Sequence, residues 1–270
     1  MMNDAEVYSK NNNLQKRDAI ECLESHVMKI KWKTYGDKVL DIGCGDGSVT
    51  ATYIKKHIPN NFKLLVGCDI NENMVKYANE HHSNDKVTFT VLDIEGEIPK
   101  RLENSFDHVF SFYALHWIKN QKKAFWNIYN LLSVGGDCLL LFLGNIPLYD
   151  VYRKLARHPK WSTWVYDVER FVSPYHDVQE PEKVIENTLT EIGFRETSVK
   201  REEKTFVFDN FEILQKAVKA VIPFKIPDEM YNEFMIDYLQ EYRGLNLTDL
   251  LNNNEKVTMA YTLINVCAKK

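Results

Sequence analysis

The sequence has no pair of cysteines two residues apart. Its five cysteines, at 22, 44, 68, 138 and 267, are odd in number and widely spread. That excludes a disulfide framework or a zinc knuckle and reads as reduced thiols, several of them core filler. Charge of neither sign dominates: 34 Lys and Arg against 38 Asp and Glu leave a net −4. Nothing in that balance pulls the chain toward nucleic acid or an anionic membrane. Long apolar runs are missing too, since "CLLLFL" at 138–143 falls far short of a bilayer span. The polar start, "MMNDAEVYSKNNNLQKRD", lacks the apolar stretch of a secretory signal. No cluster of His and carboxylates has metal-ligand spacing, so no metal is expected. Together these absences predict a cytoplasmic protein with no integral membrane association and no nucleic-acid partner.

What is present is a repeating pattern. Apolar runs at 38–43 ("KVLDIG"), 63–70 ("KLLVGCDI"), 87–94 ("VTFTVLDI"), 106–113 ("FDHVFSFY") and 137–144 ("DCLLLFLG") read as strands. Their near-continuous apolarity suits a sheet covered on both faces. Between them, "SVTATYIKKHI", "NENMVKYANEHH" and "KKAFWNIYNLL" have helical spacing. Asn71 or Asn73 is expected to cap the second helix, and Gly135 with Gly136 to stop the third. This alternation predicts an α/β fold with a doubly wound, mostly parallel sheet. Two later alternating stretches, 194–209 and 256–270, bring the count to seven strands and predict an antiparallel C-terminal edge. Residues 145–193 and 210–250 read as helical and are placed above the sheet as cap insertions. With no linker or internal repeat, and 44% hydrophobic residues, residues 1–270 read as one domain with a lid.

Three of the 11 glycines crowd into one turn, "DIGCGDG". The turn follows the first strand and precedes the first helix, where open α/β sheets bind their ligands. Its spacing is G-x-G-x-G rather than the dinucleotide pattern G-x-G-x-x-G. Asp41 stands before the turn and Asp46 inside it. Two carboxylates are poor neighbours for a pyrophosphate and good ones for an ammonium group, which disfavours NAD. Asp69 ends the second strand, where a carboxylate accepts both hydroxyls of a ribose. Asp93 ends the third, placed to meet an adenine amino group.

These residues resemble the motifs of the Rossmann-like S-adenosylmethionine-dependent methyltransferases: "VLDIGCGDG" the first motif, "VGCDI" the second acidic strand end, and "VLDI" the third. The resemblance covers 36–145 and makes that stretch the cofactor-binding core. It implies S-adenosylmethionine as cofactor, with S-adenosylhomocysteine as product and no metal. Asp41, Gly43, Cys44, Gly45 and Gly47 would face the methionine moiety. Asp69 would hold the ribose, Ile70 and Met74 would pack on adenine, and Asp93 and Ile94 would lie at its rim. Ser111 joins these cofactor contacts, and Arg17 is expected to meet the cofactor's carboxylate.

Methyl transfer from a sulfonium is an in-line displacement, so the acceptor must be aligned and stripped of water. An amine or catechol usually needs a base or a metal, whereas a carboxylate is already ionised and needs only hydrogen bonds to hold it. "SFYALHWI", after the fourth strand, supplies donors in His116 and Trp117. Gln15 heads an N-terminal helix and offers a neutral amide. Four of the five tryptophans, 117, 126, 161 and 164, lie within fifty residues. Tyr113, Phe142, Trp161, Trp164 and Ile222 complete an expected apolar acceptor pocket, with 1–30, 145–193 and 210–250 as its cap. The apolar helical faces would bury against that cap or against a second copy in a homodimer.

"LQKRDA", "DIGCGDG" and "SFYALHWI", continuing through "DVYRKLARHPKWSTW" and "RFVSPYHD", resemble the insect juvenile hormone acid methyltransferases across the full length. "LHW" is also similar to "LQW" in trans-aconitate methyltransferases. The resemblance implies a carboxyl O-methyltransferase whose substrate is a hydrophobic isoprenoid acid such as farnesoic acid or juvenile hormone acid. By position, Gln15 and Trp117 would hold the acceptor carboxylate. Two other readings stand beside this one: a different fatty or small carboxylic acid as acceptor, or binding of cofactor or lipophilic acid without transfer.

Overall fold

The computed structural model describes residues 4–244 and 256–270. Five parallel strands form its centre: β1 (Lys38–Ile42), β2 (Leu64–Asp69), β3 (Val87–Val91), β4 (Phe106–Phe112) and β5 (Leu132–Leu143). Two long strands, β6 (Arg195–Phe208) and β7 (Val257–Lys269), complete a seven-stranded sheet in the order β3-β2-β1-β4-β5-β7-β6. β7 pairs antiparallel with both β5 and β6. The reversed strand is therefore inserted one place in from the edge, and β6 itself runs the same way as β5. Strand order reverses between β1 and β4, which opens a crevice beyond their carboxyl ends.

Nine helices among the described residues cover the sheet. Asp4 caps α1 (Ala5–Asn11) by accepting the Val7 N–H at 2.9 Å, and α2 (Asn13–His26) follows after a single residue. α3 leaves the glycine turn through wide π-type turns over Val49–Ile54 and ends with Lys55–His57. α4 (Glu72–His82) is capped by Asn71, not Asn73, whose carboxamide oxygen accepts from the N–H groups of Asn73 and Met74. α5 (Gln121–Leu131) passes into β5 with no loop. Leu132 is already extended, so Gly135 and Gly136 lie within the strand segment instead of stopping the helix. α6 (Pro147–Leu155) and α7 (Pro181–Ile192) each start on a proline, whose fixed φ suits a first helical turn. α8 (Phe211–Val221) and α9 (Asp228–Gly244) precede the last strand.

Side chains of a strand alternate between faces, and the buried core divides on that parity. Leu139, Leu141 and Leu143 of β5 join the core that contains Leu14, Leu23, Val75 and the inner faces of α6, α8 and α9. Cys138, Leu140 and Phe142 join the core formed with α5 and α7 through Phe125, Ile128, Ile185 and Leu189. Of the expected cap segment 145–193, α6 thus lies on the crevice side, while α7 packs on α5 and β6 on the opposite face. No helix among the described residues is long and apolar enough to cross a membrane.

Candidate active site

The glycine turn presses close against the segment after β4. Gly43 has φ +74°, and a Cβ there would fall 2.1 Å from the Cβ of Ala114. Gly47, at φ +78°, would meet Ala78 at 2.7 Å and Phe89 at 2.8 Å. Any side chain at either position must displace backbone-anchored atoms in a left-handed conformation that costs L-residues energy. The N–H groups of Gly43 and Cys44 both donate to the Cys68 carbonyl, at 2.7 and 2.9 Å, which fixes the turn against β2. Gly45 donates to Oδ2 of Asp69 at 3.0 Å, and Asn71 donates to its Oδ1 at 2.8 Å. Tyr8 of α1 lies over the turn, its ring 3.2 Å from where a Gly45 Cβ would stand.

Negative charge collects here, and none of Asp41, Asp46 and Asp69 has an ion pair among the described residues. Asp41 is 2% exposed and accepts the Thr50 hydroxyl at 2.5 Å. Burial, with a smaller push from Asp69, drives its carboxyl up to about 7 despite that hydrogen bond. Burial also raises Asp69 above its ordinary value, against the three backbone N–H groups that hold it down. Oδ1 of Asp46 takes the Ser48 hydroxyl at 2.9 Å, but Oδ2 is buried with no partner among the described residues. A buried carboxylate oxygen without a donor is unfavourable, and an ammonium group on a ligand would correct it. Next to this cluster, Ile70 exposes 47% of its surface at the tip of β2, above the buried Met74. Carboxylates, a close-approach turn and an apolar ledge in that order fit S-adenosylmethionine: amino acid, ribose, base.

Other expected contacts are placed differently. β3 stops at Val91, so Asp93 stands exposed in a turn that it closes by accepting the Glu95 N–H at 2.9 Å. Ile94 is buried in the core shared with α5 and α7. Ser111 is buried and donates to the Ile42 carbonyl at 2.9 Å, tying β4 to β1 beneath the turn. Arg17 does not reach the turn. Its guanidinium donates to Asp18, to the Thr205 carbonyl and to the Tyr261 hydroxyl, and stacks over Phe206. Asp18 also accepts from the hydroxyls of Tyr113 and Tyr261, so this buried carboxylate locks α2 onto β4 and β7.

Across the crevice, a single 3-10 turn, Leu115–Trp117, presents His116 and Trp117 to a cavity. Gln15, from the first turn of α2, lines the same cavity, as do Tyr113, Tyr149 and Val218. Neither the Gln15 amide nor the Trp117 indole N–H is bonded to any described residue, so both donors are available. His116 is buried, and burial pushes its imidazole down to about 3, so the ring is neutral at physiological pH. Its Nδ1 accepts the Leu143 N–H at 3.4 Å, which assigns the remaining proton to Nε2 as a donor. The structure therefore brings Gln15, His116 and Trp117 to one wall.

Of the expected lining, Tyr113 and Trp117 form the cavity and the other four residues do not. Phe142 sits one residue before Leu143 and so faces the opposite side of the sheet, against Tyr175. Trp161 is fully buried, donates its indole N–H to Asp237 at 2.7 Å and packs edge-on against Phe234. Trp164 packs at the outside of the same core, and Ile222 lines a separate cleft between α1 and the α8–α9 connection. Instead the cavity takes Leu14, Ile146, Tyr149, Val218, Tyr238 and Met259, brought together from five elements. Sequence reading passed over Tyr8, Asp18, Thr50 and Tyr149. Only helical spacing from Gln15 hinted at Asp18, and nothing local marked the others.

The sheet order, the glycine turn at the switch point and the acids around it define a Rossmann-like methyltransferase. A family model described as a methyltransferase domain matches residues 40–140. Two relatives extend the likeness to the whole chain. Juvenile hormone acid O-methyltransferase of Bombyx mori is 50% identical over 100% of this chain and 98% of its own. The protein of the same name from Drosophila melanogaster is 39% identical over 100% and 93%. The chain belongs to the juvenile hormone acid O-methyltransferase family. The fold also matches phosphoethanolamine N-methyltransferase 2 of Haemonchus contortus, solved with S-adenosylhomocysteine. There the TM-score is 0.55 at 20% identity, over 93% of this chain and 53% of that one.

Proposed function

We propose that this protein is an S-adenosylmethionine-dependent carboxyl O-methyltransferase that esterifies a hydrophobic isoprenoid acid, farnesoic acid or juvenile hormone acid, in juvenile hormone biosynthesis. The observation that carries the reading is the pairing of two available donors, Gln15 and Trp117, on an apolar cavity beside a carboxylate-lined turn. When bound, S-adenosylmethionine supplies an electrophilic methyl carbon on a positively charged sulfur. Asp41 and Asp46 would hold its ammonium group and Asp69 its ribose, while Ile70 and Met74 would carry the base. Gln15, Trp117 and the Nε2–H of His116 orient the acceptor carboxylate. No residue need remove a proton, because the acceptor is ionised at neutral pH. Tyr8 and the helices α1, α2 and α8 exclude water, which keeps the anion from being shielded before transfer. A cytoplasmic location accords with the reduced cysteines, four of which are buried.

A second reading takes a shorter carboxylic acid as acceptor. Incubation with labelled S-adenosylmethionine and a panel of acids of graded length and branching separates the two. The isoprenoid reading expects methyl esters of farnesoic or juvenile hormone acid as the dominant products by mass spectrometry. Esters confined to short acids would replace it, and no ester at all would remove the enzymatic reading.

A further inference from the structure

The stretch "MKIKWKTY", residues 28–35, takes no part in the site described above. It crosses the end of the molecule opposite the crevice, from the end of α2 to the amino end of β1. Alternation divides its side chains. Ile30 and Trp32 pack inward on the core, the Trp32 ring 4.3 Å from that of His108 near the start of β4. Lys29, Lys31 and Lys33 are exposed. Lys33 pairs with Asp107, whereas Lys29 and Lys31 have no ion-pair partner among the described residues. Lys63, exposed and also without an ion pair among them, stands beside Gly36, its Cβ 3.8 Å from where a Gly36 Cβ would lie.

Three apolar side chains at the same end are more exposed than any other large apolar group described: Met28 and Val134 at 89% and Tyr35 at 81%. Hydrogen bonds and charges place them together. Asp107, which binds Lys33, also accepts the hydroxyl of Ser133, next to Val134, at 2.9 Å. Gly135, on the other side of Val134, donates to the Lys270 carbonyl at 3.1 Å, just past β7. Lys29, beside Met28, lies within electrostatic reach of Cys267 in that strand. Exposed apolar residues are ordinary one at a time. Three at one end, interspersed with unpaired lysines, make a surface. The net charge of −4 conceals it by averaging over the whole chain. Of the acids beneath and beside it, Asp37 is buried, Asp107 and Glu196 are engaged by Lys33 and Lys269, and Glu103 lies within reach of Lys270.

A protein partner is met by a continuous apolar core within a polar rim. These three side chains stand apart on separate segments with lysines between, an arrangement for a surface that yields around each one. A lipid headgroup layer does so: its apolar margin takes methionine, valine and the tyrosine ring, and anionic headgroups meet the ammonium groups. We propose that Met28, Tyr35 and Val134, with Lys29, Lys31 and Lys63, form a surface for reversible docking on an anionic lipid bilayer. The contact is peripheral, and the crevice, at the opposite ends of the strands, stays open. The test is co-sedimentation of the full chain with vesicles of phosphatidylcholine, alone or mixed with phosphatidylserine at about 7:3. The wild type should partition onto the anionic vesicles at least about 30-fold more strongly than onto neutral ones, and salt should shrink that preference. Lys29→Gln with Lys31→Gln should weaken binding to anionic vesicles about 25-fold, about fivefold for each charge. Independently, Met28→Ser, Tyr35→Ser and Val134→Ser together should weaken it about tenfold. All five side chains are exposed, so both variants should melt with the wild type. Lack of binding to anionic vesicles overturns the proposal, as does equal binding to both kinds. Binding that survives either variant overturns it too, since the contact would then lie elsewhere or use charge alone. A wild-type oligomer that the serine variant dissociates, with no vesicle binding, would assign the surface to a second copy instead. Vesicle binding is read without any methyl acceptor, so its outcome stands apart from the methyltransferase reading.

Discussion

The two sides of the crevice are built on different plans. The floor, at the carboxyl ends of β1 and β2, is made of short loops whose charged groups lie within a few residues of a strand end. Asp41, Asp46 and Asp69 meet there through backbone N–H groups and short side chains, and three glycines let the chain come close. The roof is assembled from α1, α2, α6, α8 and the 3-10 turn after β4, separated by up to two hundred residues, and its wall is mostly apolar. A floor of this kind suits one invariant, charged ligand. A roof held by packing has room to change its shape and its acceptor without disturbing the floor.

That contrast breaks most readily at the donors of the roof. Gln15→Ala and Trp117→Ala should each lower kcat by about 100- to 1,000-fold, the usual cost of removing a donor that fixes a reacting anion. Titration calorimetry should find S-adenosylhomocysteine affinity changed less than twofold. A parallel loss of cofactor affinity would mean that floor and roof are one site. Next in size is the anchor of the roof. Asp18→Ala leaves the hydroxyls of Tyr113 and Tyr261 without their acceptor and Arg17 without its ion pair. The loss should be about 3 kcal/mol, visible as a melting temperature lower by roughly 6–12 °C.

The floor responds to pH. Asp41 titrates near 7 in the folded chain against an ordinary 3.8. The native state therefore holds an extra proton between those values, and stability falls as pH rises through that window, by at most about 1.4 kcal/mol per pH unit. Ligand affinity runs the opposite way. An ammonium group needs the ionised carboxylate, so S-adenosylhomocysteine should bind more weakly below pH 7, by up to about tenfold per pH unit. Asp41→Asn should flatten both slopes, weaken binding at pH 8 and stabilise the unliganded fold there. Calorimetry and thermal melts across pH 5–8 read the two effects, and retained slopes would assign the titration to another group. The smallest effects are expected at Ile222→Ala and Trp164→Phe. Both lie outside the acceptor cavity, and kcat/KM for the acid should change less than twofold. A larger loss would extend the roof beyond the wall described above.

The floor was largely legible in the sequence. Gly43, Gly47, Asp41 and Asp69 are found by spacing because each is fixed by the strand it terminates. The roof was legible only in Gln15, His116, Trp117 and Tyr113, which lie in the first turn of a helix or just past a strand end. Phe142 misled because apolar runs do not reveal which face of a two-sided sheet a residue meets; Leu143, one position on, is the one at the cavity. Trp161 and Trp164 misled because nearness in sequence says little about irregular segments. Arg17 and Asp18 exchanged expected importance, since the partners that settle it, Tyr113 and Tyr261, are far away along the chain. The antiparallel C-terminal edge was expected and is there, but that β7 lies between β5 and β6 is an order that strand pattern alone does not decide.

By itself the sequence determined the alternating α/β architecture and the acid-rich glycine turn, because both follow from the period of the apolar residues and from backbone geometry within a few positions. Tertiary structure alone decided which side chains close over the acceptor, which tyrosines remain without partners, and how α2 is locked in place. Those features depend on which of two faces a residue meets and on contacts between distant segments, and no local rule of chain geometry contains that information.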